Sequence, residues 1–185
     1  MFQILLAKLA RALDSAGIPY MVIGGQAVLL HGEPRLTRDI DVTLGVDASA
    51  LARVLSATEP AGLLPSILDV ETFVRTTNVL PLTDQPTSLR VDLIFSFTPY
   101  EATAIQRAVG VKLEGSIVRF AAAEDLIVHK LVAGRPRDIE DVRGVLARKP
   151  LLDESYLRRW LQSFNDVVHR DLVSEYVTLK RESVG

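Results

Sequence analysis

The sequence predicts an α/β fold, a small mixed sheet with flanking helices, followed by a helical C-terminal region. Three observations carry this expectation. Short runs with strand character at residues 20–23, 38–45 and 89–95 are interleaved with helical stretches up to about residue 121. From residue 122 onward the hydrophobic spacing is helical throughout. The 185 residues, 48% apolar and 24% charged, suffice for one sizeable core in an ordinary globular chain. The expected division is an α/β core over 1–121 and a helical region over 122–185 that closes the site.

Phe2, Leu5, Leu6, Leu9 and Leu13 form one helical stripe, which Ser15, Ala16, Gly17 and Pro19 end, so residues 2–16 read as an amphipathic helix. Residues 20–23 are a short apolar run closed by Gly24 and Gly25, a buried strand ending in a tight turn, and residues 26–31 begin a short helix. In residues 38–45, Ile40, Val42 and Leu44 alternate with Asp39, Asp41 and Thr43, the period of a strand with one apolar face. Asp47 can cap a helix over 47–57, after which Pro60 and Gly62 break the chain. Residues 70–82, rich in Thr and Val, read as strand. Residues 89–95 give a second clear alternation, with Val91, Leu93 and Phe95 on one face and Asp92 on the other. A helix over 99–109 precedes a hairpin over 111–120 that turns at Glu114, Gly115 and Ser116. Helices follow over 124–132, 137–147 and 154–172, the last carrying Trp160 as a core residue.

Composition excludes several classes. With no cysteine there is no disulfide framework and no thiolate metal site, and His31, His129 and His169 are too scattered for a zinc set. No apolar run approaches the roughly 20 residues that span a bilayer, and the N-terminal stretch lacks the features of a signal peptide, so no membrane is expected and the cytoplasm is the expected compartment. A formal net charge of −2 argues against non-specific binding along a nucleic acid. The basic residues between Lys130 and Arg181 are interleaved with acids and read as solvated helix faces.

The chemistry concentrates between Gly24 and Asp41. A glycine turn at a strand end that leads into a helix offers unhindered backbone N–H groups to phosphate oxygens. After thirteen intervening residues come Asp39 and Asp41, which point to the same side of a strand. Two such carboxylates side by side are costly unless cations neutralise them, and magnesium is the natural resolution. Asp92, on the polar side of a separate predicted strand, is the candidate for a third carboxylate. Three carboxylates can hold two magnesium ions about 4 Å apart for an in-line displacement at phosphorus.

The stretch from Gly24 to Val42, GGQAVLLHGEPRLTRDIDV, resembles the signature of the DNA polymerase β-type nucleotidyltransferase superfamily. Within it, Arg35, Thr37, Asp39 and Asp41, together with the later HKLVAGRPRDIEDV, resemble the AbiEii-type proteins, several of which act as toxins of toxin–antitoxin pairs. The resemblance implies a nucleotidyltransferase core in which Gly24 and Gly25 contact the triphosphate. Asp39 and Asp41 would bind both metals, and Asp92 would ligate the acceptor-side metal and help deprotonate the attacking hydroxyl. The cofactor implied is Mg²⁺, two ions, for which Mn²⁺ can substitute. Lys130 resembles a lysine that meets the nucleotide, and Asp138 and Asp141 match a pair of acids that follows it. The second glycine, Gly25, stands where many relatives have serine, which removes one side-chain contact to phosphate.

Other readings stay open for several of these residues. Asp92 can pair with Arg90, Lys130 can extend its ammonium from an apolar helix face, and Asp138 and Asp141 can make local ion pairs with Arg135, Arg137 or Lys149. His31 reads as structural or as a supporting neighbour, while Arg35 and Arg38 can offset phosphate charge, Arg38 also merely flanking the strand. The partners expected are an NTP and an acceptor that is RNA, protein or a small molecule such as an aminoglycoside, with an antitoxin protein if the chain is a toxin. A non-catalytic interaction module on the same fold is the third alternative.

Overall fold

In the computed structural model, which describes residues 1–34, 36–149 and 151–183, the polar and apolar faces of two strands set the architecture. Strand β1 (Tyr20–Ile23) is buried at every position. Strands β2 (Asp39–Leu44) and β5 (Arg90–Phe95) bury Ile40, Val42, Leu44, Val91, Leu93 and Phe95 on one side. With β3 (Leu63–Pro65), β4 (Val79–Asp84), β6 (Val109–Leu113) and β7 (Ser116–Phe120) they form a mixed sheet of order β3-β4-β5-β2-β1-β7-β6. The pairs β2/β5 and β1/β7 are parallel and the others antiparallel.

The chain divides into two units, the first made of residues 1–26 and 37–121 and the second of 27–36 and 122–185. Residues 27–36 therefore group with the C-terminal helices, a placement that a division by chain order does not show. The break falls inside α2 (Gly24–His31). In the first unit, α1 (Phe2–Ser15) buries Leu5, Leu6, Leu9 and Leu13 and packs on β7 and on α3 (Leu51–Thr58). Burying a Leu side chain stabilises by about 1.5–3 kcal/mol, so this stripe fixes α1 to the sheet. The hairpin of β6 and β7 turns at Glu114 and Gly115, both at positive φ, as expected from the turn residues.

In the second unit, α6 (Ala123–Ala133) packs on α7 (Pro136–Arg148) and α8 (Glu154–Val168), and α9 (Leu172–Ser183) packs on α7 and α8. Its core is Leu126, Ile127, Leu131, Val142, Val145, Leu157, Leu161 and Tyr176. Trp160 is half-buried, edge-on to Tyr156 at 6.3 Å between ring centroids. Among the described residues no helix is long and apolar enough to cross a membrane.

Two expectations are corrected, and one strand is additional to those expected. Residues 70–82 are not one strand: α4 (Val70–Thr77) precedes β4. Asp69 caps the helix by accepting from the Thr72 N–H at 3.2 Å, and Asn78 ends it at φ 56, so capping overrides the β-branched composition. The helix expected over 154–172 is split, because His169 adopts φ 52 and Asp171 restarts the chain by accepting from the Ser174 N–H at 3.1 Å. The short β3 carries no alternation long enough to read and was not expected.

Candidate functional site

Register places the acids. In the parallel pairing of β2 and β5, Asp41 stands opposite Asp92, and Asp39 stands opposite Arg90. Residues two apart on a strand share a face, so Asp39, Asp41, Arg90 and Asp92 project from the same side of neighbouring strands about 4.8 Å apart. Both strands lie in the interior of the sheet rather than at its margin. The apolar alternation that buries one face thereby concentrates three carboxylates on the other.

The glycine turn meets the same face. Ile23, the last residue of β1, pairs with Asp41, so Gly24 leaves the sheet beside the Asp41 carboxylate. It does so at φ +61, a conformation that glycine adopts without steric cost. A Cβ at Gly24 would lie 2.0 Å from Asp41 Oδ2. Gly24 and Gly25 form the first turn of α2, where backbone N–H groups have no partner inside the helix.

Asp92 combines partial burial with incomplete pairing. Its Oδ1 is buried with no hydrogen-bond partner among the described residues, and its Oδ2 lies 3.5 Å from Arg90 Nη2. Burial pushes the Asp92 carboxyl above the usual range, Arg90 pulls it part of the way back, and the charge of Asp39 adds to the rise. The alternative pairing of Asp92 with Arg90 is thus present, yet it leaves one carboxylate oxygen unmatched. Thr37, given no role by sequence reasoning, donates from its Oγ1 to Asp39 Oδ1 at 3.1 Å. Its signal was the Thr-x-Asp spacing, which permits such a bond locally.

Among the described residues no three His, Cys, Asp or Glu side chains already converge as a ligand set. The donor chemistry nevertheless fits a hard divalent cation: three carboxylates share one face, and one of their oxygens is shielded and unmatched. Arg38 is exposed just before β2, and Arg35 lies outside the described residues.

Lys130, Asp138 and Asp141 are brought together in the second unit. Lys130 Nζ, buried at the end of α6, lies 2.8 Å from both Asp138 Oδ1 and Asp141 Oδ2 on α7. Arg135 Nε adds a bond to Asp138 Oδ2 at 2.7 Å. Burial opposes ionisation of Asp138, but hydrogen bonds from Lys130 and Arg135 outweigh it and hold the carboxyl below the usual range. Arg137, a suggested partner for these acids, instead donates to the Leu36 carbonyl at 3.2 Å. His31 is buried at the end of α2.

Residues 3–182 match the model of a family described as nucleotidyltransferase of unknown function (DUF6036). No curated protein matches the chain in sequence. Among solved structures, the chain is similar to an antigenic nucleotidyltransferase-like protein from Paracoccidioides brasiliensis, at 20% identity and TM-score 0.57 over 96% of this chain and 92% of that one. It is similar to ANT(2")-Ia in complex with adenylyl-2"-tobramycin, at 18% identity and TM-score 0.57 over 89% and 97% of the two chains. It is also similar to the nucleotidyltransferase toxin MenT4 from Mycobacterium tuberculosis, at 15% identity and TM-score 0.51 over 89% and 64%. At these identities the likeness is one of fold.

Proposed function

The chain belongs to the family of nucleotidyltransferases of unknown function (DUF6036), and from that premise we propose that it transfers a nucleoside monophosphate from an NTP to an acceptor hydroxyl, releasing pyrophosphate, with Asp39, Asp41 and Asp92 as the metal-binding set. The observation that carries the site assignment is the register of Asp41 against Asp92, with Gly24 closed onto Asp41. Backbone N–H groups of Gly24 and Gly25, at the start of α2, receive the triphosphate oxygens. Asp92, whose carboxyl is raised by burial, is suited to take the proton of the attacking hydroxyl. Two magnesium ions, or manganese in their place, would supply charge neutralisation at the phosphoryl oxygens and the leaving group. The protein's own contribution is to hold reactants in line and to keep the carboxylates on one face.

The acceptor in this reading is RNA or protein, as for an AbiEii-like toxin, with an antitoxin as partner. The formal net charge of −2 supports a second reading, a small-molecule acceptor such as an aminoglycoside, because the chain offers no strong field to a polyanion. One experiment addresses both. Each α-³²P-labelled NTP is incubated with magnesium, the protein and a total cell extract or an aminoglycoside panel, and wild type is compared with Asp39→Ala. Label in RNA, protein or drug that Asp39→Ala and chelator both abolish supports the reading and identifies the acceptor. Absence of transfer and of metal-dependent NTP binding would overturn it.

A further inference from the structure

The second glycine of the turn has a structural reason that also identifies a new participant. An ideal Cβ built on Gly25 would lie 2.4 Å from Thr37 Oγ1 and 2.8 Å from Thr37 Cβ. Neither approach is tolerable for a side chain at residue 25 while Thr37 stays in place. Thr37 is 9% exposed, and its hydroxyl donates to Asp39 Oδ1 at 3.1 Å. The space of a residue-25 side chain is therefore filled by a hydroxyl from the segment entering β2, and that hydroxyl grips the first acid.

We infer that Thr37 is a positioning residue for the Asp39 carboxylate, and that residue 25 is glycine because the Thr37 side chain occupies the space a side chain there would need. The inference rests on the proposed role of Asp39 as a metal ligand. Asp39 is exposed at the start of its strand, so its carboxylate has rotational freedom to lose when it ligates a cation. A donor fixed to one oxygen removes part of that freedom beforehand and leaves the other oxygen for the metal. Hydrogen bonds of this kind to ligating carboxylates are worth about 10–100-fold in metal affinity or activity.

The test compares Thr37→Val, which keeps the shape and loses the donor, with Thr37→Ser, which keeps the donor. Mn²⁺ affinity of the NTP-free protein is measured by electron paramagnetic resonance, alongside thermal melting and the kcat and KM for NTP. Thr37→Val is expected to weaken Mn²⁺ binding about 10-fold and to lower kcat by a similar factor with little change in KM, and Thr37→Ser to restore both. Gly25→Ser should weaken Mn²⁺ binding alone and recover in Gly25→Ser/Thr37→Gly relative to its own background. Equal Mn²⁺ affinity in wild type, Thr37→Val and Thr37→Ser overturns the inference, even if melting temperatures differ, and leaves the proposed function intact. A wild type that binds no Mn²⁺ and transfers no nucleotide overturns the proposed function itself.

Discussion

Asp41 faces Asp92 across the parallel pairing of β2 and β5, and one oxygen of Asp92 is buried without a hydrogen bond among the described residues. The metal-free protein bears this arrangement at a cost. The Asp92 carboxyl is raised by burial, offset by Arg90 and raised further by Asp39. A carboxyl raised in the folded state favours folding fully below its unfolded value, near 3.8, and that contribution is lost as pH rises through the folded value. Asp92→Asn should therefore raise the melting temperature at pH 7 in chelator by a few degrees, about 1 kcal/mol. The gain should fade toward pH 3.8 and shrink when Mg²⁺ is added to both proteins, while transfer falls by about 10³-fold or more. Melting curves that coincide at every pH and Mg²⁺ concentration would remove the argument for a metal at this face.

Gly24 is tied to Asp41 by geometry that an alanine breaks twice. At φ +61 any side chain costs about 1–2 kcal/mol, and the added methyl would sit 2.0 Å from Asp41 Oδ2. Gly24→Ala should lower the melting temperature by several degrees and reduce transfer far more than the residual folded fraction explains. In the Gly24→Ala/Asp41→Gly double variant the steric part of the destabilisation should be recovered without activity. Additive losses in the double variant would show that the two residues do not meet.

The alternation in 38–45 and 89–95 revealed strands, faces and the three acids together, because a strand with one buried face prints both sets of residues at a period of two. Pairing was not legible in the same way. That Asp41 meets Asp92 and Asp39 meets Arg90 depends on a parallel register between segments some fifty residues apart, which local periodicity does not encode. That Thr37 fills the space beside Gly25 was hidden for the same reason, since it requires the chain to return over that glycine, whereas the bond from Thr37 to Asp39 is local. Residues 70–77 misled because Val and Thr favour strands on average, whereas the caps at Asp69 and Asn78 decided the outcome. Lys130, Asp138 and Asp141 were recognisable as a set, but not as a mutually bonded one.

That bonding makes a distinct prediction. Lys130→Met would leave Asp138 and Asp141 buried without their shared cation, a loss of about 3–5 kcal/mol in urea unfolding at pH 7. Lys130→Met/Asp138→Asn/Asp141→Asn should regain most of it. Asp138 is held low by Lys130 and Arg135 against burial, so its contribution is present above its unfolded value and is lost as pH falls through the folded one. The stability difference between Lys130→Met and wild type should accordingly narrow in strong acid. A triple variant no more stable than Lys130→Met would mean that the lysine is needed for packing rather than for charge.

His129, beside Lys130 on α6, separates its own pH window from that of the acids. The residue as a whole is half-buried and its Nε2 is shielded, and burial, followed by the charge of Lys130, pushes the imidazole down to about 4. In the unfolded chain the ring titrates near 6.5. A depressed folded value means that its contribution is present above pH 6.5 and is lost as pH falls through about 4, because the unfolded state takes up the proton first. The expected loss is on the order of 1–3 kcal/mol. Asp92 acts with the opposite sign in mild acid and Asp138 acts only at lower pH, so the two curves must be compared in one background. The stability of wild type minus that of His129→Gln, measured by urea unfolding, should fall steadily from pH 6.5 to 4 and flatten on either side. A difference constant with pH would mean that the imidazole is protonated as readily in the folded protein as in the unfolded chain.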